Sequence, residues 1–335
     1  MKAISHRIVI TILTVAFLIL HVFGNVYANV EDLITQSYEV GSGGLLTLET
    51  ERGSIKVKTS KAERVKVEVI REVAVDNDKK ANKILNNFAI EFQHSERDVT
   101  IKAEFKTRKF FFWDDGRSRL KVHYLISVPE KYNLSLKTSG GSISVDNLEG
   151  EVHSKTSGGS LHFGNIKGPV QGKTSGGSIS LDRCIGTADI RTSGGNIKIG
   201  EVDGSLEAET SGGSIHIQSA KGSVNAKTSG GSIRVKELMG PIIASTSGGS
   251  VSAYISRQPE SNCDLSTSGG NIEIYLVDDI AINVDAKTSG GKVVTDFPVT
   301  VQGELNKSAL VGKINGGGPE LLLRTSGGNI KLYKR

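Results

Sequence analysis

The stretch KTSGGSISVDNLEGEV, Lys137 to Val152, decides the fold, because the chain says it again and again. TSGG begins at Thr138, Thr156, Thr174, Thr192, Thr210, Thr228 and Thr246, always 18 residues apart. It returns at Thr267 and Thr288 after steps of 21, and at Thr325 after 37. A fixed period of this length is the mark of a solenoid. With Thr as position one, positions six and eight are apolar in six successive units, from Ile143 and Val145 to Ile233 and Val235. Position eleven is apolar too, position thirteen is always Gly, and position fifteen is apolar again.

Alternation at six and eight predicts one short strand, and alternation at fifteen and seventeen another. Glycines at positions three and four, and at thirteen, predict two corners, since glycine turns a chain through φ > 0 without steric cost. Each unit is then one coil: strand, corner, strand, corner. Coils of this kind stack about 4.8 Å apart in parallel and bury together an apolar face that one coil cannot bury alone. By the same alternation, Thr at position one points inward and Ser or Asn at position five lies beside the corner. Their side chains are expected to hydrogen-bond from coil to coil and to satisfy the corner's backbone.

Three other repeats are excluded by position. Calcium-binding nonapeptides need Asp soon after the glycines, where this chain has Ser and Ile. A hexapeptide helix needs an aliphatic residue every sixth position, yet counting on from Ile143 meets Glu149 and Lys155. An ice-binding array needs Thr facing outward.

The remaining sequence frames this core. The chain has 335 residues, 40 of them Gly, with 5% aromatics and a formal net charge of +5, a composition suited to turn-rich β structure. Lys2, His6 and Arg7 precede an apolar run from Ile8 to Phe23, followed by Val26-Tyr27-Ala28. We read residues 1–28 as a cleavable secretory signal, because the run is shorter than the roughly 20 residues a spanning helix needs. Residues 29–136 read as a β-rich cap with one short helix, started by Asp76 and carrying Ala81, Ile84, Leu85 and Phe88 on one face. Within the cap, ERGSIKV resembles a worn copy of the repeat, and WDDG suits a hairpin turn. Residues 137–335 are the solenoid. Cys184 and Cys263 both fall at inward positions, four coils or about 19 Å apart, too far for a disulfide; two buried thiols are expected.

These features resemble the bacterial putative-adhesin family, a domain of unknown function built from β-strand repeats. The signal segment, ERGSIKV, VHYLISVPEKYNLSLKTSGGSISV and the ending TSGGKVVTDFPVT…GKINGGGPELLLRTSGGNIKLY carry the likeness. The resemblance implies an all-β parallel solenoid, right-handed, with about 18 residues per coil.

For function, the histidines show no metal-ligand spacing, the serines lack a nucleophile elbow, and the carboxylates take scattered positions. We expect no cofactor, no metal and no nucleic-acid partner. Two surface features stand out. Position eighteen reads Lys137, Lys155, Lys173, Arg191, Glu209, Lys227, Ser245, Ser266, Lys287 and Arg324. Such a ladder either serves solubility, offset by acids such as Asp189 and Glu207, or tracks a linear anionic polymer such as an envelope polysaccharide. The second feature is RKFFFWDDGRSR, where Phe110, Phe111, Phe112 and Trp113 cannot all face one core. They form a second layer of the cap or a contact for a glycan, a membrane surface or a protein. The expected role is an exported, non-catalytic envelope module that binds a glycan or another envelope protein, in the periplasm, at the cell surface or secreted. An end-to-end filament is the alternative, and a polysaccharide-active enzyme the third reading.

Overall fold

The computed structural model describes residues 29–75, 77–106, 117–301 and 306–335. Two 15-stranded sheets face one another. From Thr138 to Thr246 each coil contributes one strand to each sheet, paired in parallel with its neighbours at an offset of 18 residues. Ile179 lies beside Ile197, and Ala188 beside Leu206. Inward side chains fill the space between the sheets: Ile197, Ile199, Val202, Leu206 and Ala208 of one coil are each at most 2% exposed. Burying an aliphatic side chain of this size contributes about 1.5–3 kcal/mol, so the stack is held by a continuous apolar seam. Large and small residues alternate along it. Phe163 is tolerated because Gly172 lies opposite: a Cβ there would meet the ring at 2.8 Å.

The Thr ladder is as the pattern predicts. Each Thr is buried and does two jobs. Thr192 Oγ1 donates to the carbonyl of Gly177 in the coil below (2.8 Å) and accepts from the N–H of Gly195 in its own coil (3.4 Å). The outer ladder is Ser or Asn at position five, whose oxygen accepts the N–H of position five in the next coil, as Ser160 does for Ser178.

The reason for glycine at the first corner differs from the expectation. Position-four glycines from Gly141 onward have no positive φ. They are needed because the coils touch there: a Cβ on Gly177 would lie 2.1 Å from the carbonyl oxygen of Gly159. The Thr bridge draws these backbones together, and no side chain fits between them. Position three is looser, and a Cβ on Gly158 meets nothing within 4 Å; nothing in the structure explains why it too is glycine. At position thirteen, positive φ is confined to Gly150, Gly168 and Gly186. Gly204 is held by contact instead, 2.3 Å from the carbonyl oxygen of Gly186.

At the ends, order in space departs from order in the chain. The worn copy is a true coil: Thr50 aligns with Thr138 and Ile55 with Ile143, and Thr138 donates to the Gly53 carbonyl at 3.0 Å. The coil Leu45–Ser60 is inserted between Val99–Pro129 and the coil that begins at Asn133. The C-terminus mirrors this. Strands Glu320–Thr325 and Ile330–Lys334 lie between Cys263–Leu276 and Ile282–Thr295, so Thr325 follows Thr267 in the stack and Thr288 comes last. Both terminal coils are thus paired on two sides rather than left as frayed edges.

Antiparallel strands close the stack beyond them. Arg64–Ala74 and Asn29–Glu39 finish one sheet at the N-terminal end, and Phe88–His94 finishes the other. Ala309–Ile314 and Thr300–Val301 do so at the far end. The sheets run unbroken across residue 137, so the N-terminal region both continues the stack and closes it. The helix Asp78–Asn87 buries Ala81, Ile84 and Leu85 as predicted, and Phe88 is buried at its end. Its cap is Asn77, which accepts from the Lys79 N–H; Asp76 lies outside the described residues. The hairpin expected at WDDG is not the arrangement of its flanks. Val99–Phe105 and Leu120–Pro129 belong to opposite sheets, and Val99–Phe105 forms its hairpin with Phe88–His94 instead. Cys184 and Cys263 are buried free thiols. Burial, with the charge of Asp203, pushes the Cys184 thiol up to about 11, so it is unreactive.

Candidate binding surfaces

With the apolar side chains spent on the interior, the outward positions are left to carry function. Position eighteen does form one file. Lys137, Lys155, Lys173, Arg191, Glu209 and Lys227 are successive register partners. The file is substantially neutralised. Lys137 pairs with Glu49 at 3.7 Å and Lys173 with Asp189 at 3.5 Å. Arg191 reaches Asp189 (2.7 Å), Glu207 (2.9 Å) and Glu209 (3.3 Å). Burial raises the Asp189 carboxyl, but the hydrogen bond and charge of Arg191, with Lys173 and Gln171, outweigh it and hold the group below its usual range. Only Lys155 and Lys227 of these basic residues have no ion pair. Phe110, Phe111, Phe112 and Trp113 lie outside the described residues.

Beside this file runs a shallow groove of about 710 Å³ along the second corner, lined by Pro169, Asp189, Glu207, Asn225, Pro241 and Ile243 among others. Ile243 stands 55% exposed in it.

The opposite sheet carries a feature that sequence reading passed over. Lys198, His216 and Arg234 occupy position seven of three successive coils and are register partners. Lys236, two residues beyond Arg234, projects from the same face. No ion pair or side-chain hydrogen bond engages Lys198, Arg234 or Lys236. The His216 imidazole is held below its usual range by burial first, then by the charges of Lys236, Arg234 and Lys198. Four cationic or protonatable groups therefore share a small area with no carboxylate paired to them. Reading position seven as a column, as position eighteen was read, exposes the signal. Alongside lies a groove of about 410 Å³ lined by Ser214, Ser232, Ser250 and Ser252.

Farther along this face Tyr254, Tyr275 and Tyr333 form a third file. Tyr275 and Tyr333 stack with centroids 4.9 Å apart, and the Arg335 guanidinium covers the Tyr254 ring at 4.8 Å. Among the described residues no three His, Cys, Asp or Glu side chains gather closely enough to hold a metal ion.

The family model described as Toastrack DUF4097 matches residues 45–261. Among curated proteins, none matches the sequence. Solved structures similar to it include a putative cell adhesion protein from Clostridium sporogenes, at 13% identity and TM-score 0.25, covering 92% of this chain and 100% of that one. A putative adhesin from Bacteroides fragilis shares 11% identity at TM-score 0.31, covering 91% and 97%. A putative lipid binding protein from Parabacteroides distasonis shares 12% at TM-score 0.31, with the same coverage.

Proposed function

This chain belongs to the Toastrack DUF4097 family, and from that premise we propose that it is an exported, non-catalytic, adhesin-like module of the cell envelope that binds a repeating polymer. The observation that carries this reading is the form of the outer faces. Each coil presents the same outward positions at the same spacing, and the Thr and Ser ladders tie every corner to the next. A rigid surface with one polar register per coil matches a ligand that itself repeats, and binds it without an ordering cost in the protein. Export rests on the signal read in residues 1–28. Among the described residues no helix is long and apolar enough to cross a membrane.

The ends of the stack argue against assembly into filaments. Coil-on-coil joining needs an open parallel edge. Antiparallel strands occupy both sheet ends at the N-terminal side, and one at the other. Cell fractionation with binding of purified envelope polysaccharides tests the proposal. Recovery in envelope or medium fractions, with saturable binding, is the expected result. A cytosolic protein that binds no polymer overturns it.

A further inference from the structure

We infer that the strip formed by Lys198, His216, Arg234 and Lys236, with the adjoining serine groove, is the binding site for a linear acidic polysaccharide whose anionic groups are carboxylates. The inference rests on the polymer-binding reading above and gives it a place and a ligand class.

Charge complementarity is the first argument. The basic file on the other sheet spends much of its charge on Glu49, Asp189, Glu207 and Glu209. Lys198, Arg234 and Lys236 spend none, and Lys198, Arg234 and Lys236 are exposed. Cations left together repel, and the lowered proton affinity of His216 reports that repulsion. An arriving carboxylate relieves it, so the site holds its strongest electrostatic term in reserve for a ligand.

The hydroxyls are the second argument. Ser214 Oγ accepts the N–H of Ser232, Ser232 Oγ that of Ser250, and Ser250 Oγ that of Asn271, at 3.1 Å in each case. These bonds use lone pairs and leave each hydroxyl proton without an acceptor in the chain. The groove therefore offers a fixed row of donors parallel to the row of cations. Sugar hydroxyls and carboxylates supply the acceptors.

Geometry selects the class. Three coils span about 10 Å, one cation file wide, which suits a single extended chain. Position-seven and position-nine residues here are Lys198, His216, Gln218, Arg234 and Lys236, none of them apolar, so nothing is offered to a lipid interior. Base stacking needs open aromatic faces, and the nearby rings of Tyr254, Tyr275 and Tyr333 are taken by Arg335 and by one another.

The test is titration of the mature protein with oligogalacturonate, against its neutral methyl ester and against anionic phospholipid vesicles. Two triple variants accompany the wild type: Lys198→Gln/Arg234→Gln/Lys236→Gln, and Lys155→Gln/Lys173→Gln/Arg191→Gln. Circular dichroism melts confirm that each is folded. The wild type should bind the acidic oligomer and not the ester. The first variant should lose about tenfold in affinity and part of its salt dependence, and the second less than about twofold. Equal binding by the first variant and wild type overturns this site and leaves the polymer-binding reading standing. Binding of the ester as tightly as the acid overturns the carboxylate assignment. Binding to vesicles alone, or to nothing, overturns the site and the polymer-binding reading together.

Discussion

The middle of the stack and its two ends are built from the same coil by different rules. Between Thr138 and Thr246 every coil pairs with the coils before and after it in the chain, 18 residues away. At the ends, strands pair across 55 to 88 residues: Leu45–Thr50 with Asn133–Thr138, and Cys263–Thr267 with Glu320–Thr325. The Thr bond is the same in both places, 2.8 Å from Thr192 to Gly177 and 2.8 Å from Thr325 to Gly270. The local code therefore says what a coil is, and leaves open which coil sits next to it. Adjacency in the middle follows from connection, because a short chain closes cheaply onto its neighbour. Adjacency at the ends must be won by contacts that outweigh longer loops.

The sharpest way to break the middle is at its closest approach. Gly177→Val drives a branched side chain into the Gly159 carbonyl, where only backbone can give way. We expect a loss above about 4 kcal/mol, at the far end of single substitutions, with hydrogen-exchange protection falling in the coils on both sides. Gly158→Ala, one position from the equivalent corner glycine, should stay within about 0.5 kcal/mol. Equal denaturation midpoints for the two variants would show that the corner is not set by contact.

The ends respond more locally. Leu323, wholly buried in the inserted C-terminal coil, should cost about 3 kcal/mol as Leu323→Ala. Exchange should speed up in residues 282–314 and in the inserted coil, while the middle keeps its protection. Loss of protection through the whole stack would erase the distinction between end and middle.

Thr192→Val keeps the shape of the side chain and removes the bridge. It strands the Gly177 carbonyl and the Gly195 N–H, for about 1–2 kcal/mol, read as a shift in urea midpoint. A variant as stable as wild type would reduce the ladder to packing.

The smallest effect concerns acid. Asp285 in the last coil meets Arg324 of the inserted coil at 2.5 Å and Lys287 at 3.4 Å. Burial raises this carboxyl, but the Arg324 hydrogen bond and the two cations more than offset that and hold it below its usual range. The folded state thus favours the ionised form. Its contribution is complete above the ordinary Asp value of about 3.9 and disappears as pH falls through the lowered folded value. The stability gap between wild type and Asp285→Asn should narrow below pH about 4; a gap independent of pH down to 2 refutes the clasp.

Repetition made most of the fold legible. Inward Thr, buried positions six, eight, eleven and fifteen, the helix face, the two thiols and the worn copy ERGSIKV all followed from position in the period. One further clue was present: position five is Ser or Asn in every TSGG unit except Lys292. Lys292 donates its N–H to Asn329, but its coil is the last, and no later coil asks its side chain for an acceptor. The candidate site was half legible. Lys155, Lys173 and Arg191 do form a file, yet the acids that neutralise Lys173 and Arg191 sit at positions sixteen and eighteen of the same and the next coil. Whether two charges cancel depends on side-chain reach, which a column of letters does not show.

The sequence by itself determined the coil: its length, its corners, its inward face and the hydroxyls that lock it, because each of these depends only on residues within one period. Tertiary structure decided the rest: the place of the first and last coils, the contact that forbids a Cβ at Gly177, and the difference between a neutralised file and a free one. Each of those depends on which backbone or charge lies one coil away, and at the ends that neighbour is chosen by the burial of a whole coil on both its edges.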